Sequence, residues 1–541
     1  MGSSTHHQSP TTPEGSPGPR IFQLDPNAIG AIQTINNIVN MTVVSKDPND
    51  LRAEYRAGFV QGKLQGNTII SARDNSWDNA YLTDPGHTFP KQPGPTKDEL
   101  GKACGLLMKN YIHFLQYVAA PSTKPVLALR LKRLLFRMLG IYHGVTVEDP
   151  ANLDFSGHWL PDQRYFKQSE LVLGYEATTL TFMDVYFLNA YNDLMDVIAT
   201  PPEVALGAKR ASDFPDKCSA FLKRCDDEII LTHNTWSGFL SQTMNQTIAV
   251  NGDWITENAS NPGLIGSGTD FGYNNKGLMF NETTHRLNQT QTKTEGLWIF
   301  WRAALAEQFS SSIPEFFDAI SLDDTGTYLN GYMLVDAKTK ETGLVEMSYR
   351  CFLFYRSTGG KYTVTSKCLD HGECSLAYDA EMVNARHLMG INFPASVQVK
   401  TDLDSTDNRP ARRKQFNRLL PTVKTVDDAK RVITYTDDPG NPLSIFGRWD
   451  VGYGETDFPK QIPDGSIDAK VASSSMVLAF MKLSGVFDPA SLAKGYHMLF
   501  GTPLLRGKPF VWSQSSWSWQ KLRDVPDRVD GSFTLMPLYM K

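Results

Sequence analysis

Residues 217–239, KCSAFLKRCDDEIILTHNTWSGF, place a thiol, an imidazole and a carboxamide within two neighbouring apolar runs. Ser219 to Lys223 and Glu228 to His233 are rich in β-branched and aromatic residues. Between them Arg224–Asp227 is a polar four-residue connection of a length that joins hairpin strands. Pairing 223 with 228 and continuing down the ladder puts Cys218 opposite His233, with Cβ atoms about 4.5–5.5 Å apart. Alternation then sends Cys218, Ala220 and Leu222 to one face and Ser219, Phe221 and Lys223 to the other. The cysteine face is small and largely apolar, which suits a covered site for a sulfur nucleophile. Unpaired cysteine is also among the most buried residue types, and most such residues are inert. Spacing alone therefore leaves both readings of Cys218 open.

The elements that must position this pair fall into two parts. Residues 1–20 mix Ser, Thr, Pro and Gly and read as a flexible tail. From Ile21 to about Ala211 the apolar spacing is mostly helical, clearest over Ala53–Leu64, Asp98–Ala119 and Lys124–Leu139. A turn-rich stretch, Gly207–Lys217, closes this part. After Lys217 short β-type runs dominate: besides the hairpin, Tyr332–Ala337, Leu344–Tyr355 and Lys361–Thr365, with helical inserts at Glu295–Ser310 and Ser466–Leu483. The expected class is α+β, with a mainly helical segment 21–217 and a catalytic core 218–541.

Composition narrows the function. The chain has 541 residues, 53 basic against 58 acidic, and a formal charge of -5, which gives none of the global positive field of a nucleic-acid binder. No stretch reaches the roughly 18 uninterrupted apolar residues of a spanning helix; Leu171–Tyr191 carries Glu176 and Asp184. No secretory signal is visible in residues 1–20. Sequons at Asn40, Asn245, Asn258, Asn281 and Asn288 point the other way, towards a glycosylated chain in a secretory lumen. The six cysteines are too few for a disulfide scaffold. Cys368-Leu-Asp-His371-Gly-Glu-Cys374 offers only three ligands of the Cys/His type and reads as a disulfide or a plain loop, so no metal is expected. Arg130, Lys132, Arg133 and Arg137, and the cluster Arg409, Arg412, Arg413, Lys414 and Arg418, read as solvated faces, with lipid headgroups as the other option.

Several segments in order carry a resemblance. Cys218-Ser-Ala-Phe-Leu-Lys followed by Leu231-Thr-His233-Asn234-Thr235-Trp236 resembles the nucleophile hairpin of the phospholipase B-like family. Gly277-Leu278 with Glu282-Thr283-Thr284, Trp298–Ala306 with Arg302, Thr325–Asn330 with Met333–Asp336, and Gly465–Val471 resemble further family motifs, and Tyr55-Arg-Ala-Gly58 matches upstream. That family is similar to the N-terminal nucleophile hydrolases, which implies a four-layer αββα sandwich and autoproteolysis at Lys217-Cys218. Where the family usually has small residues before the nucleophile, this chain has Pro215-Asp216-Lys217.

What the resemblance implies is a hydrolase that forms a thioester on Cys218 and needs no cofactor. Its substrate would be a phospholipid acyl ester, with an N-acyl amide or a catalytically silent glycoprotein as alternatives, and its place lysosomal or secreted, with the cytoplasm left open. Its own 1–217 fragment would be its partner, released or retained. Asn330 is implied as an oxyanion-hole donor. His233, Asn234, Thr235 and Trp236 would orient thiol or substrate, and Arg302, Asp270 and Asp468 would fix the amine or the chain end. Structural roles stay open beside these: a core histidine for His233, a turn cap for Asn330, packing for Trp236 and an ion pair for Arg302.

Overall fold

Three strands begin the described chain, β1 (Arg20–Asp25), β2 (Ala28–Ile35) and β3 (Ile38–Ser45), as an antiparallel meander. This corrects the expectation of helix from Ile21. The runs AIGAIQTI and IVNMTVVS favour a pleated surface, and Asn36 and Asn37, with φ of 49° and 65°, supply a tight hairpin turn. The computed structural model describes residues 18–80, 94–146, 155, 172–199, 218–238, 243–285, 292–368, 374–405, 411–436, 444–447, 464–501, 510–514, 524–529 and 531–541. Gly207–Lys217, Asn288, His371, Arg409 and residues 1–17 of the tail lie outside them.

Among the described residues five helices follow: α1 (Asp50–Gln65), α2 (Asn67–Ala80), α3 (Lys97–Ala119), α4 (Pro125–Thr146) and α5 (Phe182–Ala199). All three helices expected from periodicity are present. Asn49 caps α1 by accepting from the Leu51 and Arg52 N–H groups, and Thr96 and Glu99 form a capping box on α3. Helices α1 and α4 cross at glycines: a Cβ on Gly58 would lie 2.1 Å from the Arg137 carbonyl oxygen, and one on Gly140 2.1 Å from that of Tyr55.

The hairpin β4 (Cys218–Arg224) and β5 (Ile229–Gly238) comes next. It is followed by β6 (Met244–Val250), β7 (Trp254–Ser260), β8 (Phe271–Asn274) and β9 (Leu278–Thr284). Then come α6 (Ile299–Phe309), α7 (Ile313–Ile320), β10 (Asn330–Asp336), β11 (Glu341–Met347), β12 (Cys351–Thr358), β13 (Lys361–Cys368) and β14 (His387–Gly390). The rest comprises α8 (Val397–Asp402), α9 (Ala411–Leu419), α10 (Val426–Ile433), β15 (Asp464–Ser473), α11 (Ser474–Phe480), β16 (Lys494–Phe500), the short pair β17 (Phe510–Val511) and β18 (Arg528–Val529), and β19 (Thr534–Pro537). The helix expected over Ser466–Leu483 is strand as far as Ser473 and helix only from Ser474 to Phe480. Residues 466–472 are buried throughout, and a fully buried strand shows no period that separates it from helix.

The protein is a mixed α/β structure. Among the described residues one sheet has eleven strands in the order β1-β2-β3-β6-β7-β8-β9-β10-β11-β12-β13, and a second has six in the order β14-β4-β5-β15-β16-β19. Strand β3 pairs parallel with β6, so the N-terminal strands extend the same sheet as the strands after Cys218. Met279, Met333 and Val335 of the larger sheet share a core with Leu222, Leu231 and Ala469 of the smaller. The alternate residues Leu278, Phe280 and Leu334 instead join Ile299, Ile313 and Phe316 of α6 and α7. On the smaller sheet, Phe221 meets Phe416 of α9 edge-on, with ring centroids 5.8 Å apart.

Candidate active site

The hairpin forms as expected but two residues out of the predicted register. The Cys225 N–H donates to the Glu228 carbonyl at 2.9 Å, which closes the turn over Asp226-Asp227 and pairs Arg224 with Ile229. Cys218 therefore faces Thr235, and His233 faces Ala220. An even slip keeps every side chain on its face. Cys218, His233 and Thr235 still share one side, with His233 a diagonal neighbour of the cysteine. Cys218 Sγ, a ring nitrogen of His233 and a carboxylate oxygen of Asp270 all lie within 4.8 Å of one another. Asp270 reaches in from the bend before β8, where its φ is 61° and its carbonyl accepts from the Glu282 N–H at 3.1 Å.

Strand β15 adds the next row. Asp468 pairs with Thr235 and Lys470 with His233, so both side chains fall on the cysteine face. Lys470 Nζ donates to Thr235 Oγ1 at 2.7 Å and to Asp468 Oδ1 at 2.5 Å, and the Thr235 N–H donates to the same carboxylate oxygen at 3.0 Å. Sequence reasoning did not select Lys470. Its signal was a lysine inside a run of small and apolar residues, where a charge needs a partner.

The main chain of Cys218 is held separately. Its N–H donates to Asn392 Oδ1 at 2.7 Å, and Asn392 Nδ2 donates to the Thr284 carbonyl at 2.7 Å. Arg412 of α9 donates to the Cys218 carbonyl, to Asn392 Oδ1 at 3.1 Å and to the Ile391 carbonyl at 2.5 Å. Its guanidinium sits 4.9 Å from the centre of the Trp236 ring. Arg412 is 2% exposed, which corrects its reading as part of a solvated basic face. Its signal was Phe416 one turn later on the same helix face.

Other expected residues land elsewhere. Asn234 points to the opposite face, accepting from the Ser219 N–H and donating to the Ile433 and Ile445 carbonyls, so it ties β5 to α10. Trp236 packs beneath Arg412. Arg302 pairs with Asp324 at 2.5 Å and donates to the Ile320 carbonyl at 2.6 Å, which is the structural ion pair and not a contact to Cys218. Asn330 is buried at the start of β10 opposite Thr284, the residue whose carbonyl Asn392 holds. The sequon residues Asn40, Asn245, Asn258 and Asn281 are buried within the larger sheet, and the amides of Asn40, Asn245 and Asn281 are spent on hydrogen bonds. In the folded chain they do not present a glycan acceptor. Cys351, a partner not foreseen, and Cys374 both bring their sulfur up to that of Cys368, which forms one disulfide, so Cys351–Cys368 and Cys368–Cys374 are alternative pairings.

Electrostatics follow from enclosure. Burial pushes the Cys218 thiol well up, helped by the negative charges of Asp270 and Glu282 and opposed by the Trp236 N–H and Lys470. Burial, then the Lys470 charge, holds His233 well below its ordinary value, so its imidazole is neutral at pH 7. Burial lowers Lys470 as well, against the pull of Asp468, Asp270 and Cys218. Asp270 also lines a cavity of about 110 Å³, whose other walls include Glu307, Tyr328, Tyr332, Ser76 and Pro262.

A family model described as phospholipase B matches residues 158–365, a span that contains Cys218, His233, Asp270 and Asn330 but neither Arg412 nor Lys470. The chain is similar to phospholipase B-like proteins. It is 24% identical over 412 residues to a phospholipase B of Crotalus adamanteus, covering 69% of each chain. It is 27% identical over 394 residues to phospholipase B-like 1 of Rattus norvegicus, covering 67% of this chain and 66% of that one. Phospholipase B-like protein B of Dictyostelium discoideum is 23% identical over 394 residues, covering 65% and 64%. No helix among the described residues is long and apolar enough to cross a membrane.

Proposed function

We propose that the chain is a cysteine hydrolase of the N-terminal nucleophile type, activated by cleavage of Lys217-Cys218, that removes acyl groups from phospholipid esters through a thioester on Cys218. The observation that carries this is the treatment of the Cys218 nitrogen. It begins a buried strand, its sulfur lies beside His233 and Asp270, and a side-chain oxygen, Asn392 Oδ1, already accepts from it at 2.7 Å. In the joined chain that nitrogen is an amide without basicity, and the thiol is held protonated. Cleavage turns it into an α-amine that titrates near 7.7–8.0, against about 8.5 for a free thiol, so transfer of the thiol proton costs about 1 kcal/mol before the site tunes it.

The steps then balance on one residue. The amine takes the thiol proton, the thiolate adds to the ester carbonyl, and the ammonium returns the proton to the departing alcohol. Water, deprotonated by the same amine, opens the thioester and releases the fatty acid. Asn330 serves as an oxyanion donor, a role worth about 2.7–4 kcal/mol where it has been removed elsewhere. Two stacked sheets with helices on their outer faces support the four-layer αββα reading. The β3–β6 pairing supports retention of the 1–217 fragment as a small chain. A lysosomal or secreted location accompanies this reading.

Denaturing electrophoresis tests it. Dividing 60.4 kDa by chain length gives bands of about 24 and about 36 kDa. Cys218→Ala is expected to abolish both cleavage and the release of fatty acid from phosphatidylcholine. An active Cys218→Ala variant refutes the mechanism, and preferential release from an N-acyl amino acid moves the substrate from ester to amide.

A further inference from the structure

The donors gathered at Cys218 suit a metal ion as well as an acyl group. Cys218 Sγ, a ring nitrogen of His233 and a carboxylate oxygen of Asp270 lie within 4.8 Å of one another. A thiolate, an imidazole and a carboxylate are the ligand types of Zn²⁺, whereas Mg²⁺ and Ca²⁺ take oxygen. Tetrahedral zinc bonds sulfur at about 2.3 Å and nitrogen or oxygen at about 2.0–2.2 Å, which sets such donors roughly 3–4 Å apart. Small side-chain rotations on β4, β5 and the bend before β8 cover the difference.

His233 is the member that points to a ligand. It is fully buried, and neither ring nitrogen has a hydrogen-bond partner of normal geometry among the described residues. The main chain of Glu282 acts on the ring from one side. A metal-bound histidine takes such a main-chain contact on the nitrogen that does not hold the ion. A buried polar atom left without a partner is costly, and an ion supplies one.

The local charge favours a cation. Asp270 and Glu282 both set negative charge on Cys218, and Lys470, the ammonium that opposes them, is bonded to Asp468. Asp270 is the partly exposed member of the three, so an arriving ion meets the carboxylate before the sulfur.

We propose that Cys218, His233 and Asp270 form a three-ligand site for Zn²⁺, with water in the fourth position, and that the bound ion blocks the nucleophile. On binding, a zinc–sulfur bond forms and the thiol proton leaves to solvent; imidazole and carboxylate bind through lone pairs they already hold. The metal site stands on the folded cluster alone. The block of acyl transfer rests on the hydrolase reading above, since a sulfur lone pair shared with zinc is withdrawn from attack on a carbonyl.

Co²⁺, which accepts the same ligands, makes the site visible. Titration of the full-length protein without reductant is expected to give a single bound ion per chain and a thiolate-to-cobalt charge-transfer band. Cys218→Ser is expected to remove the band, and Asp270→Asn to weaken Co²⁺ and Zn²⁺ binding about tenfold or more, while Cys374→Ser changes neither. Thermal melts establish that the variants fold, and Asp270→Asn, a change of one atom at a partly exposed residue, carries the test if Cys218→Ser does not. Absence of the band, or a band and affinity that both folded variants leave intact, overturns the metal site. Zinc is expected to stop fatty-acid release from phosphatidylcholine and a chelator to restore it; hydrolysis that continues at saturating zinc overturns the block. A band that depends on Cys218, in a chain that hydrolyses no ester, upholds the metal site and overturns the hydrolase reading alone.

Discussion

Cys218 is held by two sets of residues that do different work. One set surrounds the sulfur with His233, Asp270 and Lys470; the other fixes the backbone with Asn392 and Arg412. Lys470 supplies a positive charge near a thiol that burial and two carboxylates push up. Lys470→Met is therefore expected to raise the thiol further and to move the acid limb of the pH–rate profile to higher pH. A limb that stays in place or moves down would remove Lys470 from the site's electrostatics. Arg412 binds a carbonyl, an amide oxygen and a second carbonyl with one planar fork, which an ammonium cannot reproduce. Arg412→Lys is expected to lower turnover roughly 10- to 100-fold through misplacement of Cys218, at a melting temperature close to that of the parent. Unchanged turnover in single-turnover assays would argue against this positioning role.

At the scale of elements, the crossing of α1 and α4 sets how closely the helical layer sits on β2, β3 and β6. Gly58, Gly62, Gly140 and Gly144 let the two backbones touch, and a Cβ at any of them meets a main-chain oxygen at 2.1–2.3 Å. Backbone cannot swing aside as a flexible side chain can. Gly140→Ala is expected to destabilise the fold by about 1–3 kcal/mol or more, read as a lower urea midpoint with an unchanged m value. A midpoint equal to that of the parent would show that the helices part freely.

For the whole molecule, the pH dependence of stability follows from buried acids. Burial pushes Glu257 and Glu307 up to about 8, and Asp193 and Glu346 up to about 7. These groups keep their protons in the native state at pH values where the unfolded chain has lost them, so each stabilises at low pH and its contribution falls as pH rises towards the folded value. Below about pH 6.5 the histidines oppose this, since burial holds His285 down to about 3 and His497 down to about 4 while unfolded histidine takes up a proton. Above it, only Lys470 among the groups of the site opposes. The melting temperature is therefore expected to fall between pH 6.5 and 8; a rise across that window would contradict the protonated state of these carboxyls. If Lys217-Cys218 is cleaved, the parallel β3–β6 pairing and the shared core predict that both fragments co-elute in size-exclusion chromatography without denaturant. Separation of the fragments in native buffer would sink retention of the small chain.

Much of this was legible in the chain. The hairpin, the faces of its side chains and the helices α1, α3, α4 and α6 follow from local periodicity and turn composition, which act over a few residues. The even slip of the hairpin was not legible, because either side of Asp226-Asp227 could close the turn, yet it cost nothing in facing. The β1–β3 meander was missed although its Asn36-Asn37 turn was in view. What the sequence could not decide was which charged residues would be enclosed. Arg412 and Lys470 are 194 and 252 positions beyond Cys218 and read locally as a surface cluster and a helix residue. Only the stacking of two sheets, with α9 laid across the end of β4, desolvates them and makes a partner obligatory. Burial is a property of long-range packing, and that packing also set the roles of Asn234, Arg302 and the sequon asparagines.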